Sequence, residues 1–215
     1  MLKPYYQDNY VTIYLGDCRE ILPELPKVGL VLTDPPYGLD NIKRNPSRSV
    51  LAVSKDYGLG EWDTQVIDYN VLKLCLSYGE RQIVFGGNYY PLPPARCWLV
   101  WDKENGENDF ADCELAWTNL DKAIRIYRYR WQGMLQRDMK NKERHYHPTQ
   151  KPVSVMKWCI LQAGDGIETI IDPFMGSGST LRASKELNRK CIGIEIEEKY
   201  CEIAAKRCSQ GVFEL

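Results

Sequence analysis

The chain has 215 residues, 44% of them hydrophobic and 27% charged, with a formal net charge of −1. That profile fits one globular domain able to bury roughly 70% of its unfolded surface, and it excludes a disordered chain or a uniformly basic nucleic-acid binder. No apolar run reaches the length of a membrane span, and the amino-terminal Met-Leu-Lys-Pro-Tyr-Tyr lacks a signal-peptide core, so a cytoplasmic protein is expected.

Tyr10 to Leu15 reads as a strand stopped by Gly16-Asp17, and a short helix at Arg19–Leu25 closes on Pro26. The β-branched run Val28–Leu32 then enters Thr33-Asp34-Pro35-Pro36-Tyr37-Gly38. Two prolines donate no N–H and fix φ, so the strand must end in a stiff, extended turn. That turn gathers a carboxylate, free carbonyls and an aromatic ring, which suits a planar heterocycle bearing an amino group. A plain strand-end turn capped by Asp is the blander reading, but prolines alone would stop a strand without Asp34 or Tyr37.

Residues 38–63 are polar and basic and read as a long mobile or functional loop that includes Arg44. Thr64 is a candidate cap for an amphipathic helix bearing Ile67, Val71, Leu74, Cys75 and Tyr78. Gln82–Phe85 is a strand running into Gly86-Gly87-Asn88-Tyr89-Tyr90. Cys97–Trp101, Cys113–Trp117 and Ala123–Trp131 are further strands, the last without a clean apolar face. Beyond His147-Pro-Thr-Gln-Lys-Pro152 a helix carries Val155, Met156, Cys159, Ile160 and Ala163. Strand Glu168–Ile171, a glycine loop, a helix to about Asn188, strand Cys191–Ile196 and a helix at 198–209 complete the chain. This β-α-β-α order predicts a parallel sheet covered by helices.

The eight cysteines form no Cys-x-x-Cys pair and the only histidines are His145 and His147, which argues for reduced structural thiols and against a zinc site. Charge is distributed unevenly. Residues 121–151 hold nine Lys/Arg against Asp121, Asp138 and Glu143, so a local positive patch is expected within a near-neutral total.

Asp172-Pro-Phe-Met-Gly-Ser-Gly-Ser-Thr180 follows a strand and opens a helix, as a nucleotide-binding glycine loop does. It lacks the Gly-Lys-Ser/Thr of a Walker loop, and Leu181 stands where a dinucleotide fingerprint has its third glycine. The glycines admit close approach of a ligand, and the helix N-terminus favours an anionic group. The next strand ends at Glu195, placed to accept hydrogen bonds from ribose hydroxyls.

Asp-Pro-Pro-Tyr at 34–37, Phe-x-Gly-x-Gly at 174–178 and His-Pro-Thr-Gln-Lys-Pro at 147–152 together resemble the amino-group DNA methyltransferases, which modify adenine N6 or cytosine N4 with S-adenosylmethionine. The catalytic motif precedes the cofactor motif, as in the permuted β group of that family, and the likeness spans residues 10 to 205. It implies a Rossmann-like α/β fold, a mostly parallel sheet with helices on both faces, in one domain with a small target-recognition region at about 104–146.

By the same resemblance, Asp34, Pro35, Pro36 and Tyr37 are the catalytic turn. Asp17 would receive the cofactor's adenine amino group and Glu195 its ribose. Asp172 leads into the loop of Phe174, Gly176, Gly178 and Thr180 around the methionine part. Thr149, Gln150 and Lys151 would close over the amino-acid end, with a solvated surface charge the alternative for Lys151. Trp98 and Trp101 resemble a family strand, although core packing explains them equally well. DNA contact is expected from Arg44, Arg125, Arg128, Arg130, Arg137, Lys140, Lys142 and Arg144, with Tyr127, Tyr129 and Trp131 interleaved. No metal is implied.

The implied partner is double-stranded DNA, with no membrane; a monomer or homodimer and a cognate restriction endonuclease remain open. Asp34 at the head of its motif favours adenine N6 over cytosine N4, where Ser is commoner. Methylation of RNA or of a protein amide, and a regulatory DNA-binding module with a degenerate fold, are the rival readings. Two departures from the family are the short recognition region and Gly29 in the entering strand.

Overall fold

A computed structural model describes residues 2–38, 66–106, 111–132, 135–146 and 149–210. Nearly all of the expected mobile loop, with Arg44 in it, lies outside the described residues, as do Thr64 and His147-Pro148. The strands in chain order are β1 (Tyr6–Gln7), β2 (Val11–Leu15), β3 (Val28–Thr33), β4 (Gly79–Phe85), β5 (Trp98–Asp102), β6 (Cys113–Thr118), β7 (Arg125–Arg128), β8 (Trp131–Gln132), β9 (Leu135–Gln136), β10 (Thr169–Asp172) and β11 (Lys190–Glu195). The helices are α1 (Cys18–Ile21), α2 (Tyr69–Leu76), α3 (Val153–Ala163), α4 (Ser179–Glu186) and α5 (Glu198–Ser209).

Nine strands form one sheet in the order β1-β2-β11-β10-β3-β4-β6-β5-β7, and β8 pairs with β9 apart from it. The run from β2 to β4 is wholly parallel, while β6 is antiparallel to both of its neighbours and β7 runs parallel to β5. Register brings Leu15 opposite Glu195, Asp172 opposite Gly193 and Thr33 opposite Val84. The ends of five parallel strands therefore share one edge, where open α/β sheets hold ligands.

Side chains alternate along each strand and feed two cores. Leu30, Leu32, Ile83 and Phe85 join Val155, Met156 and Ile160 of α3, Leu181 of α4 and Ala204 of α5. Val31, Val84, Ile171 and Ile194 join Leu72, Cys75 and Leu76 of α2 on the other face. All eight cysteines are free thiols and seven are buried, so they pack as small apolar groups. Among the described residues no helix is long and apolar enough to cross a membrane.

Three details differ from expectation. Helix α2 starts late and is capped by Asp68, whose carboxylate accepts from Asn70 N at 2.6 Å. The strand expected over Ala123–Trp131 is shorter, because β7 stops at Arg128 and Trp131 turns into the β8–β9 hairpin. The two-residue β1 was not legible; it pairs with β2 across a turn in which Asp8 Oδ1 accepts from Tyr10 N and Val11 N, each at 2.8 Å.

Candidate active site

The turn after β3 is tied down from several sides. Thr33 Oγ1 donates to Asp172 Oδ1 at 2.9 Å and so joins the ends of β3 and β10. Tyr90 donates its hydroxyl to the Pro36 carbonyl at 2.5 Å, and Ile67 N donates to the same oxygen at 3.3 Å. Tyr37 stacks on Tyr89, with ring centroids 4.9 Å apart and planes 13° from parallel. The Tyr37 ring also lies against Gly86, where an added Cβ would sit 2.4 Å from Tyr37 Cδ1.

Asp34 stands at the centre of this edge. Its Oδ2 accepts from the Lys151 ammonium, while Oδ1 is buried without a hydrogen-bond partner among the described residues. Lys151 is 4% exposed and lies 3.1 Å from Glu114 Oε2 of β6, and Lys103 is 2.6 Å from Glu114 Oε1. Burial raises the Asp34 carboxyl, opposed by Lys151. Burial would depress the Lys151 ammonium, but Asp34 and Glu114 hold it well above the usual lysine range. Lys151 is thus a buried ion-pair partner, which overturns its alternative reading as a solvated surface charge.

The glycine loop rests on Asp172. This carboxyl accepts from Thr33 Oγ1 and from Phe174 N at 3.2 Å through Oδ1, and from Thr180 Oγ1 at 2.6 Å through Oδ2. Burial pushes it up to about 7. Asp172 and Thr180 are both buried, so they hold the loop from beneath. Gly178 has φ +80°, and a Cβ there would come within 2.8 Å of Ala204 Cβ on α5. Gly176 faces open space, with no atom within 4 Å of an added Cβ, and its N–H donates to Glu195 Oε2 at 2.9 Å. Glu195 Oε1 accepts from Ile196 N and Glu197 N, also at 2.9 Å. Phe174 is half-buried beside the loop.

Asp17 sits at the end of β2, next to Glu195: Gly16 N donates to the Glu195 carbonyl at 2.9 Å. It caps α1 through Arg19 N at 2.8 Å and pairs with the Arg19 guanidinium, which holds its carboxyl below the usual range. Gln150 is buried and fully engaged, accepting from Tyr146 N and Ser177 Oγ and donating to Glu143 Oε1 and the Arg144 carbonyl. Thr149 is exposed. Arg207 of α5 completes this hub, donating to the Ser177 carbonyl and to Glu143 Oε1, each at 2.7 Å.

Arg125, Arg128, Arg130, Arg137, Lys140, Lys142 and Arg144 lie on the edge strand β7 and the segments after it, and all seven are exposed. The aromatic residues expected among them turn inward instead. Trp131 is 9% exposed against His145, and Tyr127 stacks on Trp158 at 5.3 Å. Trp101, 2% exposed, donates Nε1 to the Tyr129 carbonyl and is a core residue. Apolar burial wins these rings because β7 has the sheet core on one side only.

Sequence reasoning missed Glu114, Lys103, Tyr89, Tyr90, Glu143 and Arg207. The available signals were an acid inside the apolar strand Cys113–Trp117 and an arginine within the buried stripe of α5. A separate cleft, lined by Asp8, Tyr10, Lys27, Thr169 and Lys190, lies at the starts of the parallel strands, away from this edge.

The arrangement can do specific chemistry. A fixed carboxylate with one unpartnered oxygen, a neighbouring carbonyl and an aromatic stack can hold a planar amine, beside a loop open to a second ligand. A family model described as DNA methylase, of the N6/N4 type, matches residues 98–206. The Type II methyltransferase M2.LlaDCHI of Lactococcus lactis subsp. cremoris is 28% identical over 258 aligned positions, covering 98% of this chain and 94% of that protein. Among solved structures, the M1.HpyAVI-SAM complex aligns with a TM-score of 0.60 at 19% identity, over 93% of this chain and 100% of that one. PvuII DNA methyltransferase (cytosine-N4-specific) aligns with a TM-score of 0.62 at 16% identity, over 99% of this chain and 91% of that one. The two structures share this chain's fold.

Proposed function

This chain belongs to the N6/N4 DNA methylase family, and we propose that within it the protein transfers a methyl group from S-adenosylmethionine to adenine N6 in duplex DNA. The observation that carries this reading is Asp34: a half-buried carboxylate with one buried, unpartnered oxygen, held between an aromatic stack and a glycine loop.

The residues present fit S-adenosylmethionine. Gly176 faces open space beside Glu195 and Phe174, and Asp17 lies at the adjoining strand end. Phe174, Gly176, Gly178, Glu195, Asp17 and Thr149 would hold the cofactor, over the base formed by Asp172 and Thr180, while Gln150, engaged within the protein, props the segment that carries Thr149. When bound, it supplies a methyl group on a positively charged sulfur, open to attack by nitrogen.

An exocyclic amino group is a poor nucleophile because its lone pair is delocalised into the ring. Asp34 and the Pro35 carbonyl accept its two N–H groups and draw the nitrogen toward a pyramidal shape. The fixed carboxylate then stabilises the positive charge that develops there. Tyr37 stacks on the base. Duplex DNA hides this nitrogen, so the base is flipped out at a cost of a few kcal/mol, which stacking of about 1–3 kcal/mol offsets. The arginines and lysines on β7 and after it form a small recognition region, with monomer or homodimer both compatible with it.

Asp at the head of the catalytic turn is what favours adenine over cytosine N4, which stands as the second reading. Tritium transfer from labelled cofactor to plasmid DNA, ribosomal RNA and protein tests the substrate class. Label in DNA is expected; label confined to RNA or protein overturns the reading.

A further inference from the structure

Four charged side chains form a row of alternating sign behind the catalytic turn. Lys103 contacts Glu114 at 2.6 Å, Glu114 lies 3.1 Å from Lys151, and Lys151 binds Asp34 Oδ2. The ammonium at the centre of the row is 4% exposed. At its end Asp34 Oδ1 is buried and takes no hydrogen bond among the described residues. One oxygen of Asp34 is therefore fixed by Lys151 and the other is left without a partner.

We propose that Lys151 and Glu114 act together as positioning residues for Asp34: Lys151 fixes its rotamer and keeps it ionised, and Glu114 shares Lys151 and so tempers that effect. The inference rests on Asp34 being the amine acceptor, and it adds what keeps that acceptor charged.

The physical need is plain. A buried carboxylate without a partner takes up a proton, and a neutral carboxyl cannot stabilise positive charge on nitrogen. The groups facing Asp34 are Lys151, Glu114 of β6, Lys103 after β5, Tyr37 in its own turn, Tyr90 after β4 and Asp172 at the end of β10. Lys151 and Lys103 favour the ionised form, while Glu114 and Asp172 oppose it. Neutralising Lys151 must therefore raise the Asp34 midpoint, and neutralising Glu114 must lower it. A packing defect has no reason to produce opposite signs at two residues that touch each other.

The test is a carboxyl carbon-13 NMR titration of the full chain labelled at aspartate, without ligand, with Asp34→Asn assigning the resonance. Lys151→Met is expected to raise the Asp34 midpoint by about one pH unit or more, tenfold in proton affinity, and Glu114→Gln to lower it. The acid limb of DNA methylation should move in the same directions. If Lys151→Met does not fold, Lys151→Arg, which should keep the wild-type midpoint, and Glu114→Gln decide the matter. A midpoint unmoved or raised in Glu114→Gln, or an acid limb that ignores the midpoint, overturns the proposal. Wild-type protein that labels no DNA at any pH overturns the assigned activity instead, and the carboxyl titration still decides the roles of Lys151 and Glu114.

Discussion

Tyr37 lies flat against Tyr89, with ring centroids 4.9 Å apart, so one face of the aromatic ring in the turn after β3 is already covered by a ring that is itself 46% exposed. Under the proposed mechanism an extruded base would add to this stack or replace its outer member. Tyr37→Ala should therefore lower turnover by roughly fivefold to a hundredfold, the worth of about 1–3 kcal/mol of stacking, while cofactor affinity changes little. Turnover and calorimetric cofactor binding measured side by side check this. Equal losses in both would count against a stacking role.

Gly86 stands where the chain turns under Tyr37, at φ +65°. An alanine there bears about 1–2 kcal/mol of left-handed strain, and its Cβ meets the Tyr37 ring. Gly86→Ala is expected to fold with a lowered thermal midpoint and to lose turnover as Tyr37→Ala does. Unchanged turnover would mean that the ring position does not matter.

Asp172 carries a pH signature in stability. Burial pushes its carboxyl from 3.8 to about 7 in the folded chain. Below about pH 4 both states keep the proton. From there to about pH 7 only the unfolded chain releases it, so stability falls by roughly 4 kcal/mol as pH rises. The stability of wild type minus that of Asp172→Asn should therefore drop between pH 4 and pH 8 in denaturant titrations. A difference that stays level would place the Asp172 carboxyl in the ordinary range.

The exposed arginines predict a salt dependence. Replacing Arg125, Arg128 or Arg137 by Ala should weaken duplex binding across all sequences and reduce the slope of log K against log salt by about 1 for each phosphate no longer neutralised. Fluorescence anisotropy at several salt concentrations measures this. A slope that does not change would move the DNA surface elsewhere.

Much of this edge was legible because its parts are local. Prolines stop β3 beside Asp34, glycines open α4, and 3.6-residue periodicity marks α3, whose five expected core residues are all buried. What was not legible is long-range. The ion pair of Lys151 with Asp34 joins residues 117 apart, and Arg207 reaches Glu143 across 64. A buried lysine and a solvated one look alike in sequence, because burial is decided by strands that lie far away along the chain. The aromatics of 127–131 misled for the same reason: alternation marks two faces without saying which one the core will take.

The most direct test follows the methyl group. Duplex DNA is incubated with labelled S-adenosylmethionine and either wild-type protein or Asp34→Ala, then hydrolysed to nucleosides and separated. The account predicts label in N6-methyladenine from wild type and none from Asp34→Ala. Label on a ring carbon such as cytosine C5, or full activity in Asp34→Ala, would contradict it.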